Sequence, residues 1–327
     1  MTLFLAVDAG GTSTRAAVLD QFGNCLGFGK AGPGNPISSG VERATESVSE
    51  AARQALGDLS EPRPELQGAA LAMAGGSVEV PLDGIQSTLR AHGLQNKAMI
   101  ESDLLAMYLS GTHHSDGFAL VSGTGAICAR VEQFETSHVA DGLGWLLGDH
   151  GSGYWIGHEA VLAVAAALDG RAPRTMLTGA LLEQLAVPRS ALRIEGRPAE
   201  LQSFLLKIYA LRPIQLAGFA TLAFDAAEQG DQVAAEILRR AGRALLHSLA
   251  AVRPEGTALP LVIGGSILRA GSPVLQTVQE ALPGVAVTRV EDGLAGAASI
   301  VLRRAGIEVD DEVFGRIRSS LNRLRNQ

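Results

Sequence analysis

The chain has few cysteines and few aromatic residues. Its two cysteines, Cys25 and Cys128, belong to no Cys-x-x-Cys or Cys/His pattern. They cannot form a disulfide framework or a zinc site, so we expect a reduced protein of the cytoplasm. Aromatic residues make up 4% of the chain and hydrophobic residues 46%, a balance rich in alanine and glycine. This composition favours packed helices and tight α/β turns over a β-sandwich.

Long apolar runs and basic stripes are also missing. No uncharged apolar run approaches the roughly eighteen residues of a membrane-spanning helix, so we expect neither membrane insertion nor secretion. The formal net charge is −7, and only the C-terminal stretch is modestly basic. A nucleic acid is therefore not expected as the main partner. A chain of 327 residues exceeds one ordinary hydrophobic core, which favours two domains.

Two segments of the chain share one design. LAVDAGGTSTRAAVLDQF (residues 5–22) and ALVSGTGAICARVEQF (residues 119–134) each contain an apolar strand, a Gly/Thr turn, a second strand with an arginine and another turn. Such an internal repeat indicates a duplication that gives two similar domains facing one another. We place the boundary near Ser115, so that the domains are residues 1–115 and 116–327. The sequence does not decide whether the last helix packs on the first domain or on the second.

The pattern of apolar residues predicts an α/β protein whose strands pair in parallel after an antiparallel start. In the first half it predicts strands at residues 3–8, 14–20, 25–30, 66–74 and 98–101, with helices at 38–56 and 82–92. In the second half it predicts long helices at residues 154–168, 218–228 and 233–252. Residues 188–198 are expected to form a loop, and a strand at 260–263, a helix at 273–282, a strand at 285–290 and a helix at 293–305 follow.

The two Gly/Thr turns have the chemistry of phosphate-binding sites. Glycines at a bend expose backbone N–H groups that can surround an anion, and neighbouring hydroxyl groups add donors. No GxGxxG opens a helix and no GxxxxGK[ST] is present, so neither a dinucleotide fold nor a P-loop is expected. Asp8 precedes the first turn and could approach a phosphate only through a cation, which implies Mg²⁺. The candidates in the turns are Gly10, Gly11, Thr12, Ser13, Thr124 and Gly125.

With these turns the chain resembles the actin, sugar kinase and heat-shock ATPase superfamily. More narrowly, it resembles the N-acetylglucosamine kinases, which are grouped with the activator ATPases of benzoyl-CoA reductase. The resemblance covers residues 3–305 and implies two ribonuclease-H-like domains with a central cleft, and ATP and Mg²⁺ as cofactors. LVIGGSIL (residues 261–268) matches the family's adenosine motif, and AGF (217–219) matches a further nucleotide-side helix start. The resemblance thus assigns nucleotide contacts to Gly218, Gly264, Gly265 and Ser266, as well as to the turns.

The same resemblance implies a sugar site. GPGNP matches the family's sugar loop and assigns Asn35 to a sugar hydroxyl, although asparagine is also a common turn residue. LAMAGGS matches a strand and turn that place Gly75 and Gly76 at the wall of the site. ESDLLA matches the family's strand-end aspartate, which makes Asp103 the catalytic base and a sugar contact. A helix cap is the alternative role for this residue.

The longest match is residues 142–161, where the resemblance assigns Asp149 to a sugar hydroxyl. Two positions depart from the family pattern. His150 stands where an acidic residue is usual, and Leu143 stands where many members have tryptophan. His150 and His158 have no third ligand at zinc-like spacing, so no zinc site is expected there.

The resemblance implies transfer of the γ-phosphoryl group of ATP to the 6-hydroxyl of N-acetylglucosamine, with Asp103 as base. Glucosamine, N-acetylmannosamine and muramic sugars remain open as substrates, and a homodimer remains open as the assembly. The rival hypothesis is an ATPase that activates a partner reductase. Such activators hold an iron-sulfur cluster through cysteines of the second domain, and this chain has no such ligand set.

Overall fold

Two five-stranded β-sheets organise the chain in a computed structural model that describes residues 1–57, 65–73 and 83–326. The first sheet has the strand order β3-β2-β1-β4-β5. Within it, β1 pairs antiparallel with β2 and parallel with β4. The elements of this part are β1 (Leu3–Ala9), β2 (Thr14–Asp20), β3 (Cys25–Ala31), α1 (Pro36–Ser39), α2 (Val41–Leu56), β4 (Leu66–Met73), α3 (Asp83–Ala91), β5 (Met99–Ser102) and α4 (Asp103–Gly111).

The second sheet repeats this arrangement with the order β12-β11-β6-β7-β8. Its β6 pairs antiparallel with β7 and parallel with β11, so β6 corresponds to β1. The repeat in the sequence therefore reflects a repeat in the fold. The elements, besides a 3₁₀ helix at Pro213–Phe219, are β6 (Gly117–Ser122), β7 (Ala126–Glu132), β8 (Glu135–Asp141), α5 (Gly144–Leu147), α6 (Gly153–Leu168), α7 (Met176–Gln184), β9 (Arg193–Ile194), β10 (Arg197–Pro198), α8 (Ala199–Tyr209), α9 (Ala220–Glu228), α10 (Gln232–Val252), β11 (Leu261–Gly264), α11 (Pro273–Glu280), β12 (Val287–Arg289), α12 (Leu294–Arg304) and α13 (Asp311–Arg325).

Both faces of each sheet are covered, which explains why the central strands are apolar throughout. On β1, Leu5 and Val7 join the cluster formed with α2 and α3, whereas Phe4 and Ala6 join the cluster formed with α4, α12 and α13. This division follows from the two-residue alternation of side chains along a strand. A third cluster lies between the second sheet and helices that include α6 and α10.

Helices cross between the two halves of the chain. α4 follows the first sheet but packs against β6 and β11, and α12 follows the second sheet but packs against β1 and β4. The two helices touch at Gly296 of α12 and Ala106 of α4. Glycine permits this close approach, since a Cβ at residue 296 would overlap the Ala106 carbonyl oxygen. α13 returns to β3, where the Cys25 amide donates to the Ser320 hydroxyl at 2.9 Å. The cluster that contains Phe4, Ala6 and residues of α4, α12 and α13 therefore joins both halves of the chain.

The structure differs from the sequence predictions at several boundaries. The predicted helix at 38–56 is divided into α1 and α2 by Gly40, whose φ of 85° is not helical. The predicted loop at 188–198 contains the short hairpin of β9 and β10. The pattern missed β8 because this edge strand is largely exposed and polar. Within the described ranges, no helix combines the length and hydropathy required to cross a bilayer.

Candidate active site

The first Gly/Thr turn joins β1 to β2. The Gly10 amide donates to the Ser13 carbonyl at 3.1 Å and closes the turn. Gly11 and Thr12 are exposed at its tip. The backbone N–H groups at the tip are therefore open to a ligand, as an anion-binding turn requires.

The predicted sugar loop is hydrogen-bonded to this turn. The Gly34 amide donates to the Gly10 carbonyl at 3.0 Å, and the Thr14 hydroxyl donates to the Gly32 carbonyl at 2.9 Å. Asn35 follows directly and precedes α1. The structure thus brings together two segments that the sequence analysis assigned to phosphate and to sugar.

Asp8 lies buried near the end of β1 and faces the start of α12. The Gly293 amide donates to its Oδ2 at 3.2 Å, and Nη1 of Arg15 lies 3.6 Å from the same oxygen. Burial and then the charge of Asp292 raise the pKa of Asp8 to about 7, and Asp103 adds a smaller rise. The Arg15 guanidinium and the Gly293 amide lower it. The stabilisation that Arg15 and the Gly293 amide give to the Asp8 carboxylate is therefore smaller than the combined cost of its burial and of the nearby negative charges.

A chain of alternating charges supports Asp8. Nε of Arg15 lies 3.3 Å from Asp292, and Nη2 of Arg325 on α13 lies 2.8 Å from the same carboxylate. Asp292 and Arg325 belong to no motif in the sequence, and Arg15 stands out there only as part of the repeat. No local motif could have found the first two, because the fold brings them to β1 from the far end of the chain.

The residues around Asp8 fit the predicted Mg²⁺. This ion binds oxygen atoms, and it commonly uses one or two carboxylates together with substrate phosphates and water. Asp8 supplies such a carboxylate, and because burial and then Asp292 raise its pKa, a cation beside it would favour its charged form. No cluster of three or more His, Cys, Asp or Glu side chains suited to a metal occurs among the described residues. Asp8 would therefore hold the ion together with phosphate and water.

Asp103 is the first residue of α4, and the residue is partly open to solvent although protein surrounds much of its carboxyl group. The cap of this helix is Ser102, whose hydroxyl accepts from the Leu105 amide at 3.4 Å. The alternative hypothesis that Asp103 is the helix cap is therefore wrong. Loss of hydration raises the pKa of Asp103, while the backbone N–H groups of Leu104 and of Asp103 itself lower it. The result is an accessible carboxylate of increased basicity.

The second Gly/Thr turn joins β6 to β7 and is fixed to the start of α6. The Gly123 amide donates to the Gly125 carbonyl at 2.9 Å. In turn, the Gly123 carbonyl accepts from the Gly153 amide at 2.7 Å, and the Thr124 carbonyl accepts from the Tyr154 amide at 3.1 Å. Thr124 remains exposed.

The predicted adenosine motif also contacts this turn. The Ile267 amide donates to the Ser122 carbonyl at 3.1 Å. Gly265 has a φ of +95°, and an added Cβ would overlap the Ser122 carbonyl group. Gly264 is buried beside the Met107 side chain, whereas Ser266 is exposed.

The 3₁₀ helix that contains Gly218 lies beside the same turn. Its Leu216 carbonyl is so close to Gly157 of α6 that a Cβ at Gly157 would overlap it. The Cβ of Ala217 lies near Gly153, which also contacts the second turn and Ile267. Gly218 itself is exposed, and an added Cβ would meet no atom within 4 Å. The predicted nucleotide segments of the second half therefore meet around the start of α6.

Gly265→Ala is expected to destabilise the protein by about 2–4 kcal/mol, because it combines an unfavourable positive φ with a backbone overlap. Gly271→Ala is the matched control. Gly271 also has a positive φ, +74°, but no atom lies within 4 Å of an added Cβ. The control should therefore cost only about 1 kcal/mol. Urea unfolding measures both, and equal losses would contradict the close approach of Gly265 to β6.

Asp149 lies against the second turn with a φ of 57°. Its Oδ1 accepts from the Ala126 amide at 3.1 Å. Burial raises the pKa of Asp149, the Ala126 amide lowers it, and the nearby Asp141 raises it further. Its assignment to a sugar hydroxyl remains a prediction, as does that of Asn35. Gly75 and Gly76 lie outside the described residues.

The repeated sheets, the exposed glycine turns and the basic carboxylate at a helix start together define a phosphate-binding α/β protein of the ATPase class. The chain belongs to the BadF/BadG/BcrA/BcrD ATPase family, whose sequence profile matches residues 5–306. This match covers most of both halves of the chain.

Curated relatives of this chain are kinases. An N-acetylmuramic acid/N-acetylglucosamine kinase of Clostridium acetobutylicum is 26% identical over 252 residues, which cover 77% of this chain and 79% of that protein. An N-acetyl-D-glucosamine kinase of Dictyostelium discoideum is 26% identical over 292 residues, which cover 82% of this chain and 86% of that protein.

Solved structures share the fold. A Chromobacterium violaceum protein, provisionally assigned as an N-acetylglucosamine kinase, superposes with a TM-score of 0.67 at 22% identity, over 92% of this chain and 99% of that chain. A ROK family glucokinase from Streptomyces griseus, solved with glucose and AMPPNP, has a TM-score of 0.54 at 17% identity, over 92% of this chain and 99% of that chain. At these identities the likeness establishes the fold alone.

Proposed function

We propose that this protein transfers the γ-phosphoryl group of MgATP to the 6-hydroxyl of N-acetylglucosamine. The chain is an ATP-dependent sugar kinase, and the proposal concerns its acceptor and its site. The observation that carries the proposal is the placement of Asp103. Its carboxylate lies at the start of α4, near enough to Asp8 for their charges to interact. A proton acceptor and a phosphate-side carboxylate thus share one region.

The two halves are proposed to form actin-like lobes with a cleft between them, at residues 1–115 and 116–327. The equal strand orders of the two sheets support this architecture. The contact between Asp8 of β1 and Gly293 before α12 supports a site to which both parts of the chain contribute. The helices α12 and α13 belong to the second part in sequence but pack on the first sheet.

In the proposed mechanism, Asp103 accepts the proton of the 6-hydroxyl as the oxygen attacks the γ-phosphorus, the bond from this phosphorus to the β,γ-bridging oxygen breaks, and ADP leaves with that oxygen. The raised pKa of Asp103 favours proton acceptance, and its position in the first turn of α4 lets the helix N-terminus stabilise the carboxylate. The backbone N–H groups at Gly11 and around Thr124 donate to the phosphate oxygens and fix the triphosphate in line. Mg²⁺, when bound beside Asp8, neutralises charge on the phosphates.

The names of the relatives support an amino sugar as the acceptor. They include kinases of N-acetylglucosamine and N-acetylmuramic acid and a Vibrio cholerae glucosamine kinase that is 26% identical over 258 residues. Glucosamine and muramic sugars are therefore the alternative acceptors. For the rival activator function, Cys25 and Cys128 are both buried, which is unsuitable for an iron-sulfur cluster shared at a subunit surface.

A coupled assay of ADP release across a panel of hexoses and amino sugars tests the proposal. N-acetylglucosamine should stimulate ADP release well over tenfold, because efficient transfer needs the acceptor hydroxyl at the proton acceptor. Mass spectrometry should place one phosphate on the sugar, and NMR should locate it on the 6-oxygen. If no sugar in the panel changes ATP turnover, the kinase proposal fails and the activator function gains support.

A further inference from the structure

Asp141, the last residue of β8, makes an unusual number of hydrogen bonds for a residue at a strand end. Its side chain is only 5% exposed although it lies on the edge strand of the second sheet. Its backbone has a φ of 63°, a left-handed conformation that non-glycine residues seldom adopt. Aspartate is one of the few side chains that favour this conformation, because its carboxylate can hydrogen-bond to nearby backbone groups.

The carboxylate of Asp141 binds both ends of one loop. Its Oδ1 accepts from the Gly142 amide at 2.8 Å and from the Asp149 amide at 2.6 Å. Its Oδ2 accepts from the His150 amide at 3.1 Å and lies 3.2 Å from Nδ1 of the same residue. A fifth contact comes from the Ser248 hydroxyl of α10 at 3.1 Å. One side chain thus closes residues 142–150 and attaches them to α10.

The loop that Asp141 closes carries a group assigned to the site. Asp149 also has a left-handed backbone, and its carboxylate reaches the Ala126 amide of the second turn. The direction of this carboxylate depends on the Asp149 backbone, which Asp141 holds. Between the two ends, Leu143, Leu146 and Leu147 are exposed, so these leucines do not fix the loop, and Trp145 makes an edge contact with Tyr154 of α6.

We infer that Asp141 is a positioning residue for the sugar site, which sets the direction of the Asp149 carboxylate by holding the backbone of residues 142–150. This inference rests on the proposed function, because it takes Asp149 to be a sugar contact. It also accounts for the departure at residue 150. An acidic residue there would place a second negative charge against Asp141, whereas His150 can donate to it.

Asp141→Ala removes all five contacts and should weaken binding of N-acetylglucosamine at least tenfold, because small displacements of a binding group have large effects. Binding of ADP should change much less than binding of the sugar, because the second turn is also held by the Gly153 and Tyr154 amides of α6. Asp141→Asn should restore most of the affinity, since its amide oxygen can still accept from Gly142 and Asp149. Isothermal titration of each ligand measures these values.

The matched control is Asp231→Ala. Asp231 is also a buried carboxylate that accepts several backbone hydrogen bonds, from Leu177 at 3.1 Å, Val233 at 2.9 Å and Ala234 at 3.1 Å. Its removal should lower the melting temperature while leaving sugar affinity within twofold of wild type. A similar loss of sugar affinity in this control would show that general destabilisation is sufficient and would overturn the inference.

Two further measurements separate this inference from the proposed function. Asp141→Ala should add no loss of sugar affinity when combined with Asp149→Asn, because both changes remove the same contact. Additive losses would overturn the inference. Hydrogen exchange of the peptide that contains Asp149 and His150 should become at least tenfold faster in Asp141→Ala, and unchanged exchange would overturn the inference. If Asp149→Asn binds sugar normally, the assigned role of Asp149 fails, and exchange still decides whether Asp141 holds the loop.

Discussion

Asp103→Asn is expected to lower kcat by about 10²- to 10⁴-fold while the dissociation constant of the sugar changes less than fivefold. Asparagine keeps the size of the side chain and much of its hydrogen bonding, but it cannot accept the proton of the attacking hydroxyl. The loss should therefore fall on the chemical step. Steady-state kinetics and sugar titration on the same preparation measure the two effects.

Ser102→Ala is the control that the structure provides for this experiment. It removes the cap of α4 and leaves the Asp103 carboxylate in place. The expected result is a stability loss of about 1 kcal/mol with kcat within threefold of wild type. A near-normal kcat in Asp103→Asn would remove Asp103 from the mechanism, and Asp149 would be the next carboxylate to replace.

Asp8→Asn is expected to reduce phosphoryl transfer by about 10²-fold or more and to raise the Mg²⁺ concentration required for activity. The neutral amide removes the carboxylate that the structure offers to a cation on the phosphate side. Sugar binding without nucleotide should stay close to wild type, since Asp8 lies buried beside β2 and α12. Titration of activity against Mg²⁺ would contradict this role if both proteins needed the same concentration.

The same substitution should stabilise the metal-free protein at alkaline pH. Burial raises the pKa of Asp8 to about 7, so the folded state prefers the protonated carboxyl more than the unfolded state does. In wild type, this contribution is fully present below about pH 4, is lost as the pH rises toward 7, and is absent at pH 8. Asparagine never ionises. We therefore expect Asp8→Asn to be more stable than wild type by about 1–3 kcal/mol at pH 8.

Urea unfolding in the presence of a chelator tests this pH dependence. The difference between Asp8→Asn and wild type should shrink as the pH falls from 8 to about 4, because the wild-type carboxyl then becomes protonated. A difference that is constant over this range would show that Asp8 does not titrate in the folded state as its burial implies.

The local structure of the short segments assigned to the site could be predicted from the sequence. The glycine turns, the GPGNP loop and the start of α4 each contain turn or capping signals, so local patterns identify them as turns and as a helix start, while their assignment to sugar and catalysis came from the family resemblance. The repeat also predicts two similar domains, and the two sheets do have equal strand orders. These features depend on residues that are neighbours in the chain, which is why one sequence is sufficient to find them.

The groups that support the site could not be found in this way. Asp292 and Arg325 reach Asp8 only because α12 and α13 pack on the first sheet, and no local pattern encodes that crossing. Asp141 ends an exposed edge strand and carries no motif, yet it binds backbone groups up to nine residues away. Such groups depend on tertiary structure, and the sequence pattern contains little information about them.

The crossing of helices between the two sheets has a consequence for how the protein is made. The strands of the first sheet leave the ribosome early. The helices α12 and α13, which cover one face of this sheet, are among the last elements to be synthesised. Until then the nascent chain carries an uncovered apolar surface that includes Phe4 and Ala6. Because exposed apolar surface favours aggregation, we expect the nascent first sheet to be the part of this chain most prone to misassembly until α12 and α13 have emerged.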